Sequence, residues 1–263
     1  RFGKSVSVYE DYALIGAYYD DSAKGSAYIF KRNGSTWTQQ QKLTASDDNS
    51  YDYFGYSVSI YKDYALIGSY GDDDNGNLSG SAYIFKRNGS TWTQQQKLTA
   101  SDGASGDRFG TSVSLFEDYA LIGAYGDDDN GSASGSAYIF KRNGSIWTQQ
   151  QKFTASDGAS YDRFGRSVSL YEDYALVSSY YDDSERGSAY VFDITEDTLL
   201  IENRPNDGNT IASFVSGQKM GIGTHNPDYK LHIEDYEPQI ALKSTNDSHQ
   251  ESSCRSEILF KDH

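Results

Sequence analysis

The chain has 263 residues, with 38 Asp and Glu against 23 Lys and Arg, for a formal net charge of −15. That acidity leaves no basic footprint for nucleic acid and argues against anionic lipid as a partner. One cysteine, Cys254, excludes an internal disulfide, and the absence of an apolar run of about 18 residues argues against insertion of a helix into a membrane.

Self-similarity dominates the chain from its first residues. Phe2-Gly3 returns as Phe54-Gly55, Phe109-Gly110 and Phe164-Gly165, at spacings of 52, 55 and 55 residues. Asp11 to Gly16 reads DYALIG and recurs from Asp63 and Asp118, then as DYALVS from Asp173. GSAYIF begins at Gly25, Gly80 and Gly135, with GSAYVF from Gly187, and WTQQQK begins at Trp37, Trp92 and Trp147. The chain opens at Arg1 inside a repeat, which reads as an internal fragment or processed product.

Each unit predicts four short strands. Ser5 to Tyr9 alternates Val with Ser, and a tight turn at Glu10-Asp11 leads to Tyr12 to Tyr18, almost wholly apolar and so covered on both faces. An Asp-rich loop precedes Ser26 to Lys31. Asn33-Gly34 then signals a hairpin with both turn residues at positive φ. Trp37 to Leu43 is rich in Gln, as suits an outer strand with one wet side. No segment of 12 or more residues carries a helical period. Four-stranded antiparallel units repeated head to tail predict an all-β fold of propeller blades, with a solenoid of hairpins as the alternative.

The Phe-Gly pair followed by a strand ending Gly16-Ala17-Tyr18 resembles the FG-GAP repeat family, in the variant whose blades are completed by GSAYIF and WTQQQKL strands. The resemblance covers residues 1–192 and implies a β-propeller with an extracellular adhesive or scaffolding role. Three repeats are complete; the fourth has Ser178-Ser179-Tyr180 in place of Gly and loses WTQQQK after Phe192, so it is read as partial, within a possibly larger ring.

Alternating strand directions place two acidic loop sets on one propeller face and the Lys31-Arg32, Lys86-Arg87 and Lys141-Arg142 hairpins on the other, a charge polarity from top to bottom. Asp72, Asp73, Asp74 and Asn75, with Asp127, Asp128, Asp129 and Asn130, offer hard oxygen ligands for calcium. The resemblance to calcium-holding propeller loops is incomplete, because Ser79 stands where a later acidic ligand is expected, and a solvated Asp/Gly turn is the alternative. Tyr18, Tyr70, Tyr125 and Tyr180 border these loops and are glycan-contact candidates, since sugar CH faces stack on rings while hydroxyls bond to carboxylates. Packing between blades is the competing role. Asn33, Asn88 and Asn143 begin Asn-Gly-Ser sequons, candidate N-glycosylation sites in a secreted eukaryotic protein, although Asn-Gly also serves the hairpin.

After Phe192 the repeat stops, so residues 193–263 form a second region. Gly221 to Leu231 reads GIGTHNPDYKL and resembles the linker word of phage and viral tail-fibre proteins, where it leads into intertwined β shafts. That resemblance implies a β-rich stalk and a homotrimer. A segment so short and polar has little core of its own, and three chains wound together would supply one.

Enzyme signatures are thin. The four His residues all lie after residue 192 without metal-ligand spacing, and no nucleophile elbow or phosphate loop occurs. The reading is therefore a non-enzymatic structural or adhesion protein of an extracellular or virion-surface fibre, which touches a host or neighbouring surface glycan or protein. No cofactor is required. A lectin-like head using the acidic, Tyr-lined face is the alternative, and a fibre-borne glycan hydrolase a more distant one.

Overall fold

The computed structural model describes residues 1–182, 186–194, 198–203, 210–211, 220–222 and 231–233. The chain divides into Arg1–Gln218 and Lys219–His263. In the second unit, Met220–Ile222 pairs in parallel with Leu231–Ile233; the rest of the expected stalk after Gln218 lies outside the described residues.

The first unit is all-β, built as four successive antiparallel blades. The first comprises β1 Val6–Tyr9, β2 Tyr12–Gly16, β3 Ala27–Asn33 and β4 Thr36–Leu43. The second comprises β5 Ser57–Tyr61, β6 Tyr64–Ser69, β7 Ser81–Asn88 and β8 Thr91–Leu98. The third follows with β9 Ser112–Phe116, β10 Tyr119–Ala124, β11 Ser136–Asn143 and β12 Ile146–Phe153. The fourth holds β13 Phe164–Tyr171, β14 Tyr174–Ser179, β15 Ser188–Asp193 and β16 Thr198–Asn203, with Thr210–Ile211 added at its edge. First strands pack on one another in succession, β1 on β5, β5 on β9 and β9 on β13, so they are the inner strands.

Two expectations need correction. The fourth blade is complete, because Thr198–Asn203 pairs with β15 in the register that WTQQQK strands use elsewhere, including the bulge after the third-strand position of Val191. Strand pairing is satisfied by backbone, so a sequence sharing no word with WTQQQK fills the place. The hairpin turn also sits one residue later than Asn-Gly implies: Asn33 pairs with Thr36, and Gly34-Ser35 turn the chain with only Gly34 at positive φ, 61°. A two-residue loop with Gly first is the type II′ preference. Asn33, Asn88 and Asn143 therefore end strands, and all three are exposed.

The core lies between blades rather than within them. Leu14, Ile29 and Leu43 of the first blade pack with Phe54, Val58, Ile60, Ile67 and Trp92 of the second, and the two following junctions repeat the pattern. The Phe-Gly pair is the pivot. Phe54, Phe109 and Phe164 are fully buried, with Phe54 5.4 Å from Tyr83 and 6.0 Å from Phe85, centroid to centroid. Gly55 takes φ 83°, donates its N–H to the Gly68 carbonyl at 3.0 Å and accepts from Ser5 Oγ at 3.1 Å in the preceding blade. A side chain on Gly16, Gly68 or Gly123 would collide with the carbonyl of Gly55, Gly110 or Gly165 of the next blade.

These fourth strands keep an exposed side, at Gln39 and Gln150 among others, but some of their Gln residues work at the junctions. Gln41 donates to the Trp92 carbonyl at 2.7 Å and accepts from Trp92 N–H at 2.8 Å, and Gln96 brackets Trp147 likewise. Gln94 and Gln149 reach backwards to Ser46 and Ser101. Gln40 occupies the bulge, where Ile29 pairs with Gln41 and Phe30 with Gln39.

At the end opposite the acidic loops, the hairpin arginines are matched rather than free: Arg32, Arg87 and Arg142 bind Asp11, Asp63 and Asp118 of the first-to-second-strand turns. The simple charge polarity is therefore muted at that end.

Gly68→Ala is expected to cost about 3 kcal/mol or more, because backbone on two sheets must separate. Ser178→Gly, at the equivalent position of the fourth blade, should change stability little. Chemical denaturation of the two variants checks the contrast.

Candidate functional site

The loops between second and third strands and the connections entering each first strand meet at one end. Phe54 N–H donates to the Lys24 carbonyl at 2.9 Å and Tyr53 N–H to the Ala23 carbonyl at 3.0 Å, which ties the two loop sets together as expected. The first of these loops contains a single turn, Asp20–Ala23, in which Asp21, Ser22 and Ala23 have positive φ.

Carboxylates converge here, around lysines. Lys97 Nζ on β8 lies 2.8 Å from Asp47 and Asp72 and 2.5 Å from Asp74. Lys152 on β12 repeats this with Asp102, Asp127 and Asp129 at 2.7, 2.9 and 2.5 Å. Tyr83 Oη also donates to Asp47 at 3.0 Å and Asp72 at 2.9 Å. Of the sequence-derived ligand candidates, Asp72 with Asp74 and Asp127 with Asp129 are brought together. Asp73, Asn75, Asp128 and Asn130 are exposed and lie outside the clusters; Asp47 and Asp102 complete them from the preceding connections. The first blade has a shorter loop, and Lys42 meets only Asp20, at 2.8 Å.

The electrostatics divide the carboxylates. Lys42, then Tyr28, holds Asp20 down to about 2 by hydrogen bonding. Burial would raise Asp47 and Asp102, but the hydrogen bonds from Lys97 and Lys152 outweigh it and lower both. Asp52 goes the other way: burial, reinforced by the charges of Asp72 and Asp73, pushes it up to about 6 despite the Asn49 N–H it accepts at 2.6 Å. Asp107 is likewise pushed up to about 6.

Beside the carboxylates lies a band of tyrosine. Tyr53 stacks on Tyr70 at 5.0 Å with a 12° interplanar angle, and Tyr70 meets Tyr56 edge-on at 4.5 Å. Tyr18 joins Tyr53 and Tyr56 at 5.9 and 5.4 Å, and Tyr19 and Tyr51 extend the group outward. At the next junctions the partners become cations: Arg108 and Arg166 sit over Tyr125 at 5.1 and 4.8 Å, and Arg163 over Tyr181 at 4.5 Å. Such ring–guanidinium contacts are attractive through the ring quadrupole.

Of the four tyrosines singled out from sequence, Tyr18 is buried, Tyr70 and Tyr125 are half-buried, and only Tyr180 is open to solvent. Packing therefore claims most of that set. Sequence reasoning missed the more exposed rings, Tyr51 and Tyr161, each 61% accessible. Both hold positive φ, 76° and 73°, where the equivalent residue of the intervening loop is Gly106 at 97°. The alternation Tyr51, Gly106, Tyr161 along the repeat was the available signal: a bulky side chain kept where the backbone favours glycine.

The family model described as FG-GAP repeat matches residues 1–30, 37–85, 92–140 and 147–192. No curated protein matches the chain.

The pKa directions set a pH profile. Asp52 and Asp107, ordinarily near 3.8 and here about 6, bind protons more tightly in the folded state, so their contribution is full below about 4 and lost as pH rises through 6. Asp20, Asp47 and Asp102 act oppositely and lose their contribution as pH falls below 3.8. Melting temperature should peak near pH 4, fall as pH rises through about 6 and change little above that. The Asp52→Asn/Asp107→Asn variant should flatten that upper limb; an unchanged limb would refute the assignment.

Proposed function

Because the chain belongs to the FG-GAP repeat family, we propose that its propeller is a non-enzymatic adhesion module, displayed on an extracellular or virion-surface fibre. Its contact surface is the tyrosine-bearing end, and its partner is a glycan or protein on a host or neighbouring surface. The observation that carries this reading is Tyr51. It is exposed, joined to Tyr53 at 6.3 Å, and held at φ 76° where glycine would relieve the backbone. Strain of this kind costs on the order of 1–3 kcal/mol and persists where the side chain has work to do. Tyr supplies large contact area at low entropy cost, which suits a binding surface.

The lectin-like version draws support from the exposed carboxylates Asp73 and Asp74, carried by the same end as the rings. Rings stack on sugar faces while carboxylates accept from hydroxyls. Hydrolysis finds less support. The paired carboxylates are repeated in two blades with the same lysine partner, whereas acid and base need different environments. The fibre assignment draws on the tail-fibre-like word Gly221 to Leu231 and proposes a trimer built through the residues after Gln218.

Two measurements test the reading. Tyr51→Gly and Tyr161→Gly should hold or raise stability while lowering retention on a glycan array or target-cell surface by about tenfold, near the loss typical of one anchoring ring. Equal retention would place the contact surface elsewhere. Light scattering of the whole chain should give a trimer, with calcium or with chelator; a monomer would remove the stalk from the proposal.

A further inference from the structure

A metal-like position exists in the second and third blades, and a side chain of the chain itself fills it. Three carboxylate oxygens, from Asp47, Asp72 and Asp74, lie within 4.8 Å of one another, and the Asp102, Asp127 and Asp129 set repeats this. Between them stands an ammonium with three N–H donors, each matched to one carboxylate, at 2.8, 2.8 and 2.5 Å around Lys97. Lys97 and Lys152 are each only 18% accessible in their side chains.

We infer that Lys97 and Lys152 are built-in counter-cations that take the place of a loop-bound divalent ion, which makes these acidic loops independent of metal. A calcium ion would need six to eight oxygens at 2.3–2.6 Å. The oxygens best placed to begin such a shell already accept from Nζ, and Asp72 is further committed to Ser81 Oγ at 2.9 Å and Tyr83 Oη at 2.9 Å. An ion could enter only by expelling the lysine.

The ammonium also does the mechanical work of an ion. Asp47 lies on the connection leaving the first blade, Asp72 and Asp74 on the β6–β7 loop, and Lys97 on β8, so one side chain ties three separate segments. The arrangement follows loop length. Gly68 to Gly80 spans three residues more than Gly16 to Gly25, and the shorter first-blade loop presents Lys42 with one carboxylate. In the fourth blade the register partner of Tyr190, where Tyr28 faces Lys42, is Glu202.

Thermal unfolding of the whole chain, with calcium chloride and with chelator, provides the test. The wild type should melt at one temperature in both. Lys97→Met/Lys152→Met should melt about 5 °C or more lower in chelator, since two sets of carboxylates lose their cation. Calcium should restore part of that loss in a saturable way, because the emptied position then accepts an ion. A calcium-dependent rise in the wild type, or a double variant as stable as the wild type, overturns the inference. If the double variant does not fold, the wild type still decides. Two lysine ammonium resonances, protected from exchange at neutral pH and unmoved by calcium, are expected in a nitrogen-15 spectrum; their absence, or a shift on adding calcium, refutes the role.

Discussion

The fold depends on one backbone approach, the seating of each Phe-Gly carbonyl against a glycine at the end of the second strand or one residue before it in the preceding blade. Gly55, Gly110 and Gly165 reach Gly16, Gly68 and Gly123 so closely that no Cβ fits between them. Ser5, Ser57 and Ser112 each supply a hydroxyl to the same carbonyl, at 3.1, 2.8 and 2.8 Å. Fixing that distance lets the neighbouring Phe bury fully and positions the next set of loops. The acidic and aromatic end is then a by-product of spacing: one junction repeated brings a connection from one blade beside a loop of the next.

That end is held together by charge and ring contacts of unequal strength. An exposed ion pair contributes little, but Lys97 faces the largely buried Asp72 in a network that includes Tyr83, where desolvation makes each partner costly to lose. The three carboxylates still exceed the single ammonium. The excess is felt at Asp52, whose proton affinity rises through the charges of Asp72 and Asp73 once burial has begun the shift. The cluster thus leaves a residual negative field around Asp52.

Much of this was legible in the sequence because repetition multiplies each signal. Alternation in runs such as SVSIY and glycine at hairpins located the strands, and a loop that returns at a fixed offset must return to the same end. Other features resisted. Gln41 and Gln96 read as solvent-facing because composition alone cannot separate an amide in water from one bracketing a buried Trp. The fourth blade's last strand was missed because backbone pairing tolerates TLLIEN where the repeat writes WTQQQK. The lysine role was invisible because Lys97 lies 23 residues from Asp74 and 50 from Asp47, separations that only the sheet register brings together. Tyr18 was overvalued for the same reason: its neighbours Tyr53 and Tyr56 come from the next repeat and cover it.

The same junction gives the array a direction. Each blade has a side that receives a Phe-Gly pair and a side that presents one. On the first blade the presenting side is open: Phe2, Val6 and Val8 are 59, 70 and 67% accessible, against 0, 8 and 4% for Phe54, Val58 and Ile60. On the fourth blade the receiving side is altered. Ser178 stands where Gly16, Gly68 and Gly123 stand earlier, accepts from Ser167 N–H at 3.0 Å, and donates to the Ser167 carbonyl at 3.3 Å. Its side chain occupies the position where the earlier junctions seat a Phe-Gly carbonyl against glycine. The first and fourth blades therefore present different faces to the junction: open apolar side chains at one and Ser178 in place of glycine at the other.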